Sequence, residues 1–341
     1  MDQALPLPLA ESGLAADGSR AGDRLALAER LAESTSNPEA MLEAARYFAL
    51  EGRRDRAIDT LRQAMLANPR DVEILSLLAD LLSRSGAFED ADQVFRQALD
   101  LTPGHAETWY RRGLHAGRQG FAAAAREAYE EVVRLDERHV RAWVNVGLAR
   151  ADLGDRRAAV RALERAVVVD PACTEAHTNL GILYMEEGLR EEAVAEFRDA
   201  VRLSPESAET HFNLGWALLA HEELEQAEIA LDASTRIDPR NAEGLYALAL
   251  LHLKVGKNAA AVTDLKSAIA LRPDDGRFHY HLAVAYNNLE AVDQAILALE
   301  NAARLVPDDP RIHRLLGVAF DKKELPARAR EAYRRAAALG G

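Results

Sequence analysis

Seven prolines, Pro69, Pro103, Pro171, Pro205, Pro239, Pro273 and Pro307, fall on a single 34-residue grid, and the one vacant grid point between them is Glu137. This period constrains the chain more than any other feature. A unit of that size is one supersecondary motif that cannot bury its apolar face alone, so successive copies must stack into an array. With the proline numbered place 32, units begin at residues 38, 72, 106, 140, 174, 208, 242, 276 and 310. No insertion interrupts the count, and nine tandem units fill residues 38–341.

Two further places support the grid without the prolines. Place 8 reads Ala45, Ala79, Gly113, Gly147, Gly181, Gly215, Ala249, Ala283, Gly317, and place 20 is alanine in every unit from Ala57 to Ala329. Two antiparallel helices cross at short range only where both present a small side chain. Large residues surround that contact, as at place 24 with Leu61, Phe95, Tyr129, Leu163, Phe197, Leu231, Leu265, Leu299 and Tyr333. The chain is rich in alanine and sparse in β-branched residues, which favours helix over strand. Each unit therefore reads as a first helix over about places 2–14, a turn that often carries glycine, and a second helix over about places 18–31. Proline ends the second helix because it cannot continue the hydrogen-bond ladder. The predicted fold class is all-α, an α-α solenoid of helical hairpins.

This pattern closely resembles the tetratricopeptide repeat family over residues 38–341. In the unit 174–207 the family residues are Leu180, Gly181, Tyr184, Ala193, Phe197, Ala200 and Pro205. The resemblance implies a right-handed superhelix with the first helix of each pair on the concave face. It also implies an adaptor that holds a peptide or partner helix in the groove.

Composition narrows the function. Lys plus Arg is 42 and Asp plus Glu is 55, a net charge of −13. That surplus of acid argues against nucleic acid and against anionic lipid surfaces. One cysteine, Cys173, excludes an internal disulfide framework and a multi-cysteine metal site. The chain has no apolar run long enough to span a membrane and no signal-peptide pattern, and it reads as cytoplasmic. Phosphate-binding, dinucleotide-binding, nucleophile-elbow and zinc-protease motifs are all missing. No catalytic residue, cofactor or metal is expected. His177, His211, His279 and His313 share place 4 with Trp109 and Trp143 and read as packing residues.

The resemblance places 2, 5, 6, 9, 12 and 13 on the groove. Place 6 carries Arg111, then a row of three asparagines, Asn145, Asn179 and Asn213, and later His281. An amide can both donate to and accept from a peptide unit, so such a row reads backbone rather than side chains. It is similar to the asparagine ladder of the superhelical domain of O-linked N-acetylglucosamine transferase. Places 5 and 9 add Phe212, Trp216, Tyr246 and Tyr280, an aromatic set of the kind that anchors binding hot spots. The two-carboxylate clamp that such repeats use for heat-shock chaperone tails is not matched, since no unit has asparagine at place 9. The leading expectation is a non-enzymatic adaptor that binds a protein segment in the groove. The alternatives are a substrate-presenting or regulatory subunit of an enzyme such as a glycosyltransferase, and a self-assembling scaffold.

The ends and one unit stand apart. Residues 1–20 read as a disordered tail and residues 21–37 as a capping helix and its linker. The C-terminal helix, with Tyr333, Ala336, Ala337 and Leu339, is open to self-association. Unit 106–139 is expected to be weak, because Arg112 replaces an apolar residue and the exit proline is missing; Arg150 is a similar replacement in the next unit.

Overall fold

The computed structural model describes residues 18–33 and 37–340, and among these every regular element is an α-helix. The expected tail lies, up to residue 17, outside the described residues. The chain forms two compact units, Met1–Pro171 and Ala172–Gly341.

The first unit holds α1 (Gly18–Ala32), α2 (Pro38–Leu50), α3 (Arg54–Ala67), α4 (Val72–Arg84), α5 (Phe88–Leu101), α6 (Ala106–Arg118), α7 (Ala122–Leu135), α8 (Val140–Asp152) and α9 (Arg156–Val169). The second holds α10 (Thr174–Glu186), α11 (Arg190–Leu203), α12 (Ala208–Ala220), α13 (Leu224–Ile237), α14 (Ala242–Lys254), α15 (Asn258–Leu271), α16 (Gly276–Asn288), α17 (Val292–Leu305), α18 (Pro310–Lys322) and α19 (Pro326–Ala338). From α2 onward the helices pair into hairpins, with the first helix at places 1–13 and the second at places 17–30. Both begin one place earlier than the sequence pattern suggests. The helix α1 starts at Gly18 rather than 21 and ends at Ala32 rather than 35. Its Ala28 and Ala32 join the buried cluster around Met41 and Phe48, and Glu29 pairs with Arg56 of α3 at 2.7 Å.

The small residues at places 8 and 20 do what close crossing requires. A Cβ built on Gly181 would stand 2.7 Å from the Phe197 ring, which is itself buried, so a larger residue here would have to shift that ring. The first helices start from side-chain caps at place 34. Asp71, Ser207, Asn241, Asp275 and Asp309 each accept a backbone N–H of the turn that follows.

Two local devices were not evident from composition. The turn at place 15 adopts positive φ in all nine hairpins: Gly52, Gly86, Gly120, Gly154, Gly188 and Gly256 do so, and so do Glu222, Glu290 and Glu324. At place 4 the ring is a staple as well as packing. The indole N–H of Trp109 donates to the Pro103 carbonyl at 2.8 Å, and the imidazole Nε2–H of His211, His279 and His313 does so to Pro205, Pro273 and Pro307. Trp143 donates in the same way to the carbonyl of Glu137, the vacant grid point, at 2.9 Å.

Unit 106–139 is as regular as the others. The helix α7 ends at Leu135, the same place as its counterparts, without the proline. Arg112 lies over the Trp109 ring at 5.2 Å, and Arg150 pairs with Glu130 at 2.6 Å.

Candidate functional site

The first helices of neighbouring hairpins lie side by side in a repeating register. Arg46 at place 9 of α2 reaches Glu73 at place 2 of α4, 2.6 Å away. Arg277 at place 2 of α16 covers the ring of Tyr246 at place 5 of α14, 5.3 Å from its centre, and Arg311 of α18 covers Tyr280 of α16 at 5.4 Å. Places 2, 5, 6 and 9 therefore share one helix face, and place 2 of each helix meets place 5 of the one before.

In the first unit that face is sealed at α4, although Leu148 at place 9 of α8 is 36% exposed. Every residue of α4 from Ile74 to Ser83 is buried, including Ser76, Asp80 and Ser83. Polar side chains of α6 cover it. Arg111 donates to the Ser76 hydroxyl at 3.0 Å and lies 2.9 Å from Glu107. Asp80, only 2% exposed, stands between Arg84 at 3.0 Å and Arg118 at 3.2 Å. His115 meets the Ser83 hydroxyl at 2.9 Å, and burial pushes its pKa down. Arg111 is thus turned into a buried network, 8% exposed, and does not line an open groove as the sequence suggested. Asn145 of α8 is half-buried and donates to the Tyr110 hydroxyl at 3.3 Å.

In the second unit the face is open around α10 and α12. Ile182 and Trp216, both at place 9, are 39% and 41% exposed although they sit in mid-helix. Phe212, half-buried one turn before Trp216, stacks with it at a ring separation of 6.3 Å and an interplanar angle of 24°. Asn179 spends one amide hydrogen on its own helix, donating to the Glu175 carbonyl at 2.9 Å. Asn213 is half-buried and has no side-chain hydrogen bond among the described residues. Both amides thus keep polar atoms without a protein partner among the described residues.

Further along the same unit Tyr246, Tyr280 and His281 form a separate group with a cavity of about 260 Å³ bounded also by Arg277, Arg311 and Ile312. Tyr246 is only 7% exposed, so it floors this cavity and does not join an exposed aromatic strip, contrary to its sequence reading. His281 donates Nδ1–H to the Arg277 carbonyl at 2.9 Å, with the Tyr246 hydroxyl 3.1 Å away, and burial lowers its pKa. Arg277 and Arg311 are each held by the cap aspartate two residues earlier, at 2.6 and 2.7 Å.

At the C-terminal helix, Ala336 is buried, while Tyr333 and Leu339 keep about a third of their surface and the Tyr333 hydroxyl donates to Asp321 at 2.8 Å. Among the described residues no group of three or more His, Cys, Asp or Glu is arranged to hold a metal, and no helix is long and apolar enough to cross a membrane.

Comparison with known proteins agrees with this architecture. The family model described as the Cilia and flagella-associated protein 70 C-terminal domain matches residues 112–341, and a tetratricopeptide repeat model matches residues 42–106. The solved APC/C hetero-tetramer Cut9-Hcn1 aligns at a TM-score of 0.55 and 18% identity, covering 88% of this chain and 58% of that one. A tetratricopeptide repeat protein from Parabacteroides merdae aligns at 0.54 and 17% identity, covering 69% of this chain and 93% of that one. YrrB, described as a TPR protein with an unusual peptide-binding site, is 25% identical over 55% of this chain and 96% of its own, at a TM-score of 0.47. No curated protein matches the sequence.

Proposed function

The chain belongs to the tetratricopeptide repeat family, and from that premise we propose that it is a protein-interaction scaffold whose second unit holds an extended segment of a partner against α10, α12 and α14. The observation that carries this reading is Trp216. A tryptophan in mid-helix, stacked on Phe212 yet 41% exposed, leaves a large apolar surface in water. Covering such a surface is favourable by roughly 25 cal/mol per Å², and aromatic side chains of this kind dominate measured hot spots. Asn179 and Asn213, one helix apart at place 6, supply amide groups beside it. An aromatic anchor with an amide row alongside suits a segment that inserts one side chain and pairs its backbone.

The test uses the tryptophan itself. Peptides selected from a random display library on the full chain should change the tryptophan emission of a Trp109→Phe/Trp143→Phe variant, in which Trp216 alone emits, and compete with one another. Trp216→Ala should lower their affinity about tenfold or more while the far-ultraviolet circular dichroism and the melting curve stay near wild type. Selected peptides that bind the Trp216→Ala chain undiminished would move the site elsewhere.

A further inference from the structure

The open face of the second unit also carries a charge pattern. Place 2 of successive first helices reads Glu175, Glu209, Glu243, Arg277 and Arg311. Glu243 is taken up by Arg272 and Arg277 at 2.8 and 2.7 Å, and the two arginines are held by Asp275 and Asp309. Glu175 and Glu209 differ. Both are exposed, and neither makes an ion pair among the described residues. Glu209 lies one turn before Phe212 and two before Trp216 on a single helix face, and Glu175 stands in the same relation to Asn179 and Ile182. By the register that sets Arg277 over Tyr246, Glu209 is positioned beside Thr178 of α10, within the open face.

We propose that the segment held on this face is cationic, with Lys or Arg next to a large apolar or aromatic residue that covers Phe212 and Trp216. This rests on the groove reading above and adds the partner's chemistry. The argument is charge complementarity. Two uncompensated carboxylates flank an apolar shelf, and an acidic or neutral segment seated there would either face like charge or leave them unanswered. A lysine or arginine stem covers apolar surface while its head reaches a carboxylate, so one residue type satisfies both features. The overall charge of −13 draws a basic segment in from a distance as well.

The experiment is random-peptide display selected on the full chain, followed by binding of the winning synthetic peptides to wild type, Glu175→Gln/Glu209→Gln and Trp216→Ala. Both glutamates are exposed, and glutamine keeps their shape, so the double variant is expected to melt like wild type. The expected result is enrichment of Lys or Arg within two residues of an aromatic or leucine. Affinity should drop about tenfold on the double glutamine variant and fall steeply between 50 and 500 mM salt. Peptides that depend on Trp216 but show no basic enrichment and bind the glutamine variant equally well would overturn this inference and leave the groove reading standing. If no selected peptide depends on Trp216, the groove reading falls, and this one with it.

Discussion

Helices α4 and α12 occupy the same position in their hairpins, yet one is sealed and the other is open. In α4 the face at places 5, 9 and 12 is Ser76, Asp80 and Ser83, all buried under Arg111, His115 and Arg118 of α6. In α12 the same places are Phe212, Trp216 and Leu219, and none of them is buried. Apolar residues lie outside and polar residues inside, the reverse of a globular core. Buried polar groups hold a particular neighbour through directional bonds, so they fix how two first helices meet. The aromatic pair of α12 has no such polar partner among the described residues, which is what the proposed docking of a partner segment uses. The polar face closes the first unit at α4, and the aromatic face keeps the second available.

Four perturbations test that contrast. The largest effect is expected from Asp80→Ala, which removes a buried carboxylate, its ion pair with Arg84 and the charge-assisted hydrogen bond it takes from Arg118; losing a hydrogen bond to a charged group costs about 1.5–3 kcal/mol. Denaturant unfolding should show early loss of structure in the first unit, and a variant as stable as wild type would mean that the network does not hold α4 closed. Gly181→Ala comes next. Its new Cβ must move the buried Phe197 ring, and overpacking of this sort costs about 1–3 kcal/mol. Hydrogen exchange should then rise in α10 and α11 while α4 and α5 keep their protection.

The third effect is of opposite sign at two histidines, one in each unit. His252 of α14 lies between Asp264 at 2.7 Å and Glu228 at 3.4 Å, and its hydrogen bond to Asp264 raises its pKa. Its folded pKa is above the unfolded value of about 6.5, so its stabilisation is fully present below that pH and is lost as pH rises through the folded value. His115 is the converse. Burial lowers its folded pKa, so its stabilisation is present at neutral pH and lost as pH falls below about 6.5. Titration of the imidazole resonances should place His252 above, and His115 and His281 below, the free-histidine value. His252→Gln should remove the loss of stability on the alkaline side in the second unit, leaving the acid-side loss from His281, and leave the first unit unchanged. Matching titrations for His115 and His252 would remove this difference between the units.

The smallest expected effect is stabilising. Glu290→Gly relieves a left-handed residue at a turn where six of the nine hairpins already have glycine, and should add about 0.5–1 kcal/mol. It should raise the unfolding midpoint of the second unit slightly without altering peptide binding, which separates turn strain from the groove.

The repeat itself was legible because it is local. Place 8 against place 20 and the capping residue at place 34 act within one hairpin or across one turn, so spacing alone reveals them. The missing proline at Glu137 does not shift the helix end, which falls at the same place as in the other units, and Trp143 holds the Glu137 carbonyl. Arg112 and Arg150 looked like flaws in a column of apolar residues, but a tryptophan face and a carboxylate receive them. The site was legible only in part. Asn179, Asn213, Phe212 and Trp216 are half-buried or exposed on one face, whereas Arg111 and Tyr246, at equivalent places, are buried.

A single 34-residue period, with small residues where helices cross and caps where they start, determined by itself that this chain is an α-helical repeat and where each helix lies. Whether a given groove position meets water was decided by the tertiary structure. That outcome depends on side chains a whole unit away: Asp80 is buried because Arg118 reaches it across 38 residues of chain, and Trp216 is exposed because no such side chain covers it. Periodicity assigns a residue to a face, but the partner that covers or clears that face belongs to another helix, and its reach is set only when the two helices pack.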